Sequence, residues 1–267
     1  MGKRLEGKVA IVTGSSSGNG RAIALAFARE GAKVICSDIN KSAREGGYEE
    51  DIHMDTDDII RNEGGEAKFL KADVTKSDEV QALVDEAVAS YGRLDIMVNN
   101  AGIFTGLHDI VEETEEQFDA TMAVNTKGVW LGCKAAISQM LKQDVSKGGS
   151  RGKIINIASI GGLVGLALEP AYCASKGAVV NLTRQLAVDY APHRINVNAI
   201  CPGFLRTAMV RPFLEDKELN KKLHDSSPWP RLGTAEDVAK VAVFLASDDS
   251  EMVTGSMLIV DGGFTAQ

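Results

Sequence analysis

Along almost the whole chain of 267 residues, short runs rich in β-branched side chains alternate with longer segments of helical periodicity. This alternation restricts the fold more than any other feature. Residues 9–13 read as a strand bounded by Gly7 and Gly14. Residues 21–30 read as a helix, with Ala22, Ile23, Ala26 and Phe27 on one face and Gly31 at its end. Further strands are expected at 34–37, 68–72, 94–98, 153–158, 195–200 and 257–260. Helices are expected from a capping box at Thr75-Lys76-Ser77-Asp78 to Tyr91, and over 115–141, 171–190 and 235–245. Strands separated by helices pair in parallel through right-handed crossovers. Ile154-Ile155-Asn156-Ile157 is apolar on both faces, as suits a sheet covered on both sides. No linker, repeat or composition shift divides the chain, so residues 1–267 are expected to form a single α/β domain.

Charge and cysteine usage narrow the partners. The chain carries 29 Lys+Arg against 37 Asp+Glu, a formal net charge of −8. It therefore lacks the bulk attraction that nucleic acid or an anionic membrane surface would exploit. No apolar run approaches the roughly 18–20 residues of a membrane-spanning helix. The basic start, Met1 to Arg4, does not lead into a signal-peptide core, and Glu6 stands where a myristoylated Gly2 would need Ser or Thr. Cys36, Cys133, Cys173 and Cys201 lie far apart with no C-x-x-C pair, which points to free thiols and a cytoplasmic location.

The first strand runs into Thr13-Gly14-Ser15-Ser16-Ser17-Gly18-Asn19-Gly20 and then a helix. Glycines let backbone approach a diphosphate closely, and the helix start behind them offers free N–H groups and partial positive charge. Asp38 ends the second strand, 18 residues after Gly20, where a carboxylate can bond a ribose 2′-hydroxyl and repel a 2′-phosphate. The expected cofactor is NAD rather than NADP. Tyr172 and Lys176 are four apart on one helical face, and Ser159 ends the preceding strand. A phenol of ordinary pKa near 10 is a poor base at neutral pH, and a neighbouring ammonium is expected to lower it. Such a set suits proton transfer beside a hydride acceptor.

These motifs, with Asn99-Asn100-Ala101-Gly102, Pro202-Gly203 and Asp261-Gly262-Gly263, closely resemble those of the short-chain dehydrogenase/reductase family over nearly the whole chain. The resemblance implies a Rossmann-type doubly wound parallel sheet of seven strands with helices on both faces. It implies interconversion of a secondary alcohol and a ketone. It makes Tyr172 the acid–base, Lys176 its activator and ribose ligand, Ser159 the substrate-orienting hydroxyl and Asn125 the support of a proton relay. Cofactor contacts are implied at Gly14, Ser16, Ser17, Gly18, Asn19, Gly20, Asp38, Asp73, Val74, Asn99, Ala101, Gly102, Tyr172, Lys176, Pro202, Gly203 and Thr207. Family members commonly form tetramers, here through the helices over 115–141 and 171–190 and the last strand.

Two departures stand out. Asn19 replaces the Ile that most relatives carry between the last two loop glycines. Asp38 and Asp73 are farther apart than in many relatives, and the acidic excess at 44–58, with His53 among Asp51, Asp55, Asp57 and Asp58, is expected to be a solvated helix or loop rather than a metal site. Its place after the second strand would let it cover the cofactor. Segments 161–169 and 204–229 should line the substrate pocket, with Leu166, Phe204 and Met209 as candidate contacts for a mainly apolar or cyclic alcohol or ketone. Two alternatives stay open: an NADPH-dependent β-ketoacyl thioester reductase, and a catalytically silent dinucleotide-sensing or scaffold protein.

Overall fold

The computed structural model describes residues 3–267; Gly2 lies outside them. Seven parallel strands form one sheet: β1 (Val9–Thr13), β2 (Lys33–Asp38), β3 (Ala67–Lys71), β4 (Ile96–Asn99), β5 (Gly152–Ile157), β6 (Ile195–Pro202) and β7 (Met257–Val260), in the order β3-β2-β1-β4-β5-β6-β7. The chain direction across the sheet reverses between β1 and β4, and ligands of such sheets sit beyond the strand ends at that point.

Two helical layers cover the sheet, as the doubly apolar strands require. Alternation along β1 sends Val9 and Ile11 into one layer with α3 (Ser77–Tyr91), α5 (Val129–Met140) and α6 (Pro170–Tyr190). It sends Ala10 and Val12 into the other, with α1 (Gly18–Arg29) and α9 (Ala235–Ala246). Phe27, Ile23 and Leu83 are fully buried in these layers, each contributing roughly 1.5–3 kcal/mol relative to exposure.

Several elements differ from their expected form. The end of the acidic excess runs into a short helix, α2 (Thr56–Asn62). Helix α3 has no capping box: Lys76 is its N-cap, and the Thr75 hydroxyl donates instead to Asp73 Oδ1 at 2.8 Å. A capping box forms at the start of α4 (Glu115–Met122), where Thr114 and Gln117 bond reciprocally. The helix expected over 115–141 is α4, a π turn at Ala123–Gly128, and α5. Gly132 within it is a packing requirement, since a Cβ there would lie 1.9 Å from Asn99 Oδ1. Beyond β6, residues 204–229 carry α7 (Arg211–Glu215) and α8 (Lys217–Ser226), which the sequence pattern did not separate.

Candidate active site

The glycine loop is braced from beneath by side chains at the ends of β1 and β4. Thr13 Oγ1 accepts from the backbone N–H of Asn100 (3.0 Å) and Ala101 (3.1 Å) and donates to the Val98 carbonyl (3.3 Å). Asn100 Nδ2 donates to the carbonyls of Thr13 (2.9 Å) and Gly14 (3.1 Å). Gly14 takes φ +64°, and a Cβ on Gly20 would sit 2.0 Å from the Gly14 carbonyl oxygen, so α1 begins hard against the turn. Gly14, Gly18 and Asn19 at this helix start line a cavity of about 910 Å³, the kind of place that suits an anion, and the Gly18 N–H donates to the Glu49 carboxylate.

Asp38 lines that cavity at the end of β2. Its carboxylate accepts from the N–H of Ser16 at 3.1 Å and of Ile39 at 2.7 Å, so it steadies the loop and also faces the cavity. The Lys41 ammonium, also from the cavity wall, pairs with Asp55, Asp57 and Asp58 at 3.3–3.5 Å, three carboxylates whose oxygens lie close together. Asp73, on the opposite wall, is held well below the usual carboxylate range by hydrogen bonds from the Thr75 N–H and hydroxyl.

The structure brings Ser159, Tyr172 and Lys176 together on the wall of the same cavity. Lys176 Nζ donates to the Ile157 carbonyl at 2.9 Å and lies 5.7 Å from the centre of the Tyr172 ring. Asn125 is fully buried behind them in the π turn: Oδ1 accepts from the Ile103 N–H (2.8 Å), and Nδ2 donates to the Ile103 carbonyl (3.0 Å) and Ser175 Oγ (3.2 Å). A Cβ on Gly102 would lie 3.3 Å from Asn125 Oδ1 and 3.6 Å from Lys176 Nζ, which places the three residues around one point. π turns of this kind are frequent at functional sites.

The structure does not bear out the expected lowering of the phenol pKa. Burial pushes Tyr172 up to about 12, only partly offset by a hydrogen bond with Ser159, and burial pushes Lys176 down to about 8. Desolvation penalises both charged forms here and is the largest cause of each shift. Burial likewise raises Glu169, three residues before the tyrosine, to about 7.

Not every expected contact reaches the cavity. Gly14, Ser16, Ser17, Gly18, Asn19, Asp38, Asp73, Val74, Ala101, Gly102, Pro202, Gly203, Thr207 and Met209 line it. Gly20 serves helix–strand packing instead. Asn99 points into the sheet, where Nδ2 donates to Asn156 Oδ1 at 2.9 Å. Phe204 stacks edge-on against Phe264 at 5.5 Å and is held out of the cavity wall, although its neighbours Gly203 and Leu205 line it. Leu166 packs beside Gly161, outside the cavity wall. The sequence reading missed Phe104, whose ring meets Tyr172 edge-on at 5.6 Å and Phe213 at 5.9 Å, closing the cleft between the end of β4 and residues 204–229, the lid of the cleft. It also missed Ile39, Arg44, Ile103 and Val124 in the wall; their only signal was adjacency to motifs.

A family model described as enoyl-(acyl carrier protein) reductase matches residues 14–265. The chain is 40% identical to 2-(R)-hydroxypropyl-CoM dehydrogenase of Xanthobacter autotrophicus, over 97% of this chain and 99% of that protein. It is 38% identical to a 3-oxoacyl-[acyl-carrier-protein] reductase of Thermotoga maritima, over 97% and 98%. Among solved structures, it superposes with TM-score 0.85 and 37% identity on a protein of Agrobacterium tumefaciens named for 2-deoxy-D-gluconate 3-dehydrogenase activity and solved with bound NADP, covering 98% of both chains.

Proposed function

Since the chain belongs to the short-chain dehydrogenase/reductase family, we propose that it is an NAD(H)-dependent oxidoreductase interconverting a secondary alcohol and a ketone. The observation that carries this reading is the Ser159–Tyr172–Lys176 group opening onto the cavity that the glycine loop and Asp38 also line. The residues present fit a dinucleotide: the glycine cradle takes the diphosphate, Asp38 the adenosine ribose, Asp73 and Val74 the adenine end, and Lys176 the second ribose. When bound, the nicotinamide supplies the hydride acceptor or donor.

The rest of the chemistry falls to the chain. Tyr172 exchanges a proton with the substrate oxygen, and the Ser159 hydroxyl holds that oxygen in place. The Lys176 ammonium, fixed by the Ile157 carbonyl, stabilises the phenolate that forms during oxidation. Asn125 fixes the Ile103 backbone and Ser175 on α6, and so sets the distance between the cofactor turn and the catalytic helix. Phe104 and Phe213 shield the reacting atoms from water and favour an apolar or cyclic substrate.

The choice of NAD rests on Asp38 and on the diversion of Lys41 to three aspartates. A second reading, an NADPH-dependent β-ketoacyl thioester reductase, is favoured by Arg44 in the cavity wall and by the NADP-bound relative. The test is turnover of a panel of secondary alcohols and ketones with each cofactor. NAD(H) preference that weakens by about tenfold or more in Asp38→Ala supports the first reading, and exclusive use of NADP(H) with turnover of β-ketoacyl thioesters supports the second.

The reading extends to a homotetramer in the cytoplasm acting on a small molecule, with neither nucleic acid nor membrane as partner. Phe118, Trp130 and Val188 stand exposed on α4, α5 and α6, and Ile259 on β7, the elements such an assembly would pair. All four cysteines are free thiols, and among the described residues no helix is long and apolar enough to cross a membrane. Sedimentation velocity tests the assembly.

A further inference from the structure

The acidic excess after β2 is tied both to the glycine loop and to the segment after β6. Its backbone is anchored to α1 by the buried Arg21 guanidinium, which donates to the carbonyls of Asp51 and Met54, and to the glycine loop by Arg44 N–H donating to Ser17 Oγ at 2.6 Å. Between these anchors the Glu49 carboxylate reaches the start of α1, where Oε1 accepts from the Gly18 N–H. Its other oxygen is buried there without a hydrogen-bond partner, so the carboxylate is only half satisfied. The adjacent Tyr48 ring lies between two cations of the substrate lid, Arg206 at 5.0 Å and Arg211 at 5.7 Å, and Gly46 packs on the Arg211 side chain.

We propose that residues 45–54 form a strap in which Glu49 is an internal stand-in for the cofactor's diphosphate, and in which Tyr48 ties that carboxylate to the lid. This rests on the reading of the cavity as a dinucleotide site. One helix start cannot serve a fixed carboxylate and a diphosphate at the same N–H groups, so the two compete. Cofactor binding therefore expels Glu49 and moves Tyr48 against Arg206 and Arg211, coupling cofactor occupancy to the lid. The apparent dissociation constant rises in proportion to the fraction of molecules in which Glu49 still occupies the site. The competition concerns the diphosphate, which NADH and NADPH share. Glu49 thus sets dinucleotide affinity without setting cofactor preference, a role separate from that of Asp38.

Titration calorimetry with ADP-ribose, which carries the diphosphate but no nicotinamide, tests this without turnover. Glu49→Gln and Glu49→Ala are expected to bind ADP-ribose about fivefold more tightly or better than wild type, the scale of one carboxylate at a helix start. NADH and NADPH should gain in parallel. Unchanged or weaker ADP-ribose binding in both variants overturns the proposal alone, as does a gain confined to one of the two cofactors. No ADP-ribose binding by any of the three proteins overturns the dinucleotide reading and the proposal with it. For the lid, ADP-ribose is expected to change the rate of tryptic cleavage at Lys217, Lys221 and Lys222 in wild type and not in Tyr48→Ala. A wild-type rate indifferent to ADP-ribose overturns the coupling.

Discussion

Replacing Glu169 by Gln should stabilise the fold at alkaline pH and leave it little changed in acid. The folded protein holds this carboxyl's proton up to about 7, against 4.5 for the free group, and the cause is burial. Between those values the folded state binds a proton that the unfolded chain has released. Glu169 therefore costs nothing below the unfolded value, and stability falls as pH rises through about 7. A rise of that size corresponds to roughly 3 kcal/mol at full burial. The side chain is partly exposed, and solvent screening reduces the expected cost to about 1–2 kcal/mol. Gln has no charge to bury, so comparing the two proteins isolates the ionisation. Urea unfolding would be followed from about pH 5.5 to about pH 8.5, and the wild-type midpoint should fall behind the variant's as pH increases. A difference between the two proteins that stays constant across this range would refute the argument from burial. Glu169 lies on the face of α6 that carries Tyr172, so the same ionisation also raises the phenol further.

Tyr172→Phe is expected to lose at least a hundredfold in turnover while keeping NADH affinity, because it removes the proton donor and little else; equilibrium fluorescence checks the binding. Gly132→Ala places a methyl against Asn99 Oδ1 and should destabilise the protein by about 1–3 kcal/mol, read as a lowered midpoint in thermal unfolding. Thr13→Val leaves the N–H groups of Asn100 and Ala101 without their acceptor, and calorimetry should show dinucleotide affinity falling together with a stability loss of about 1–3 kcal/mol.

The fold was largely legible because its signals are local. Strands such as β1 and β7 are nearly continuous apolar runs, followed by Gly14 and by Asp261-Gly262, and they lie at the residues expected. The π turn was not legible: its residues have ordinary helical character, and the extra residue is stabilised by contacts between Asn125, Ile103 and Ser175 from three separate elements. At the site, the Tyr172–Lys176 spacing is fixed by helix geometry and could be read directly. The ionisation of Tyr172 could not, since it depends on how much water the lid and Phe104 exclude. Asn99 misled for a similar reason: its neighbours in the motif face the cavity, but strand alternation turns Asn99 itself into the sheet toward Asn156. The acidic excess had composition as its only signal, and its contacts with Arg21 and the lid are long-range.

The π turn at Ala123–Gly128 also makes the helix that contains it sensitive to chain length. A π turn holds one residue more than an α-helix would, so deleting one residue here would close it to α-helix, whereas inserting one would swing α4 by about 100°, more than a quarter-turn, relative to α5. The face of α4 that meets α6 would point to solvent, and Asn125 would leave Ile103. A change of length in the turn at residues 147–149, outside any helix or strand, would be absorbed by loop backbone. Genetic variation in length should therefore be tolerated in that loop and purged from the helix, even though neither stretch contains a residue that exchanges a proton with substrate.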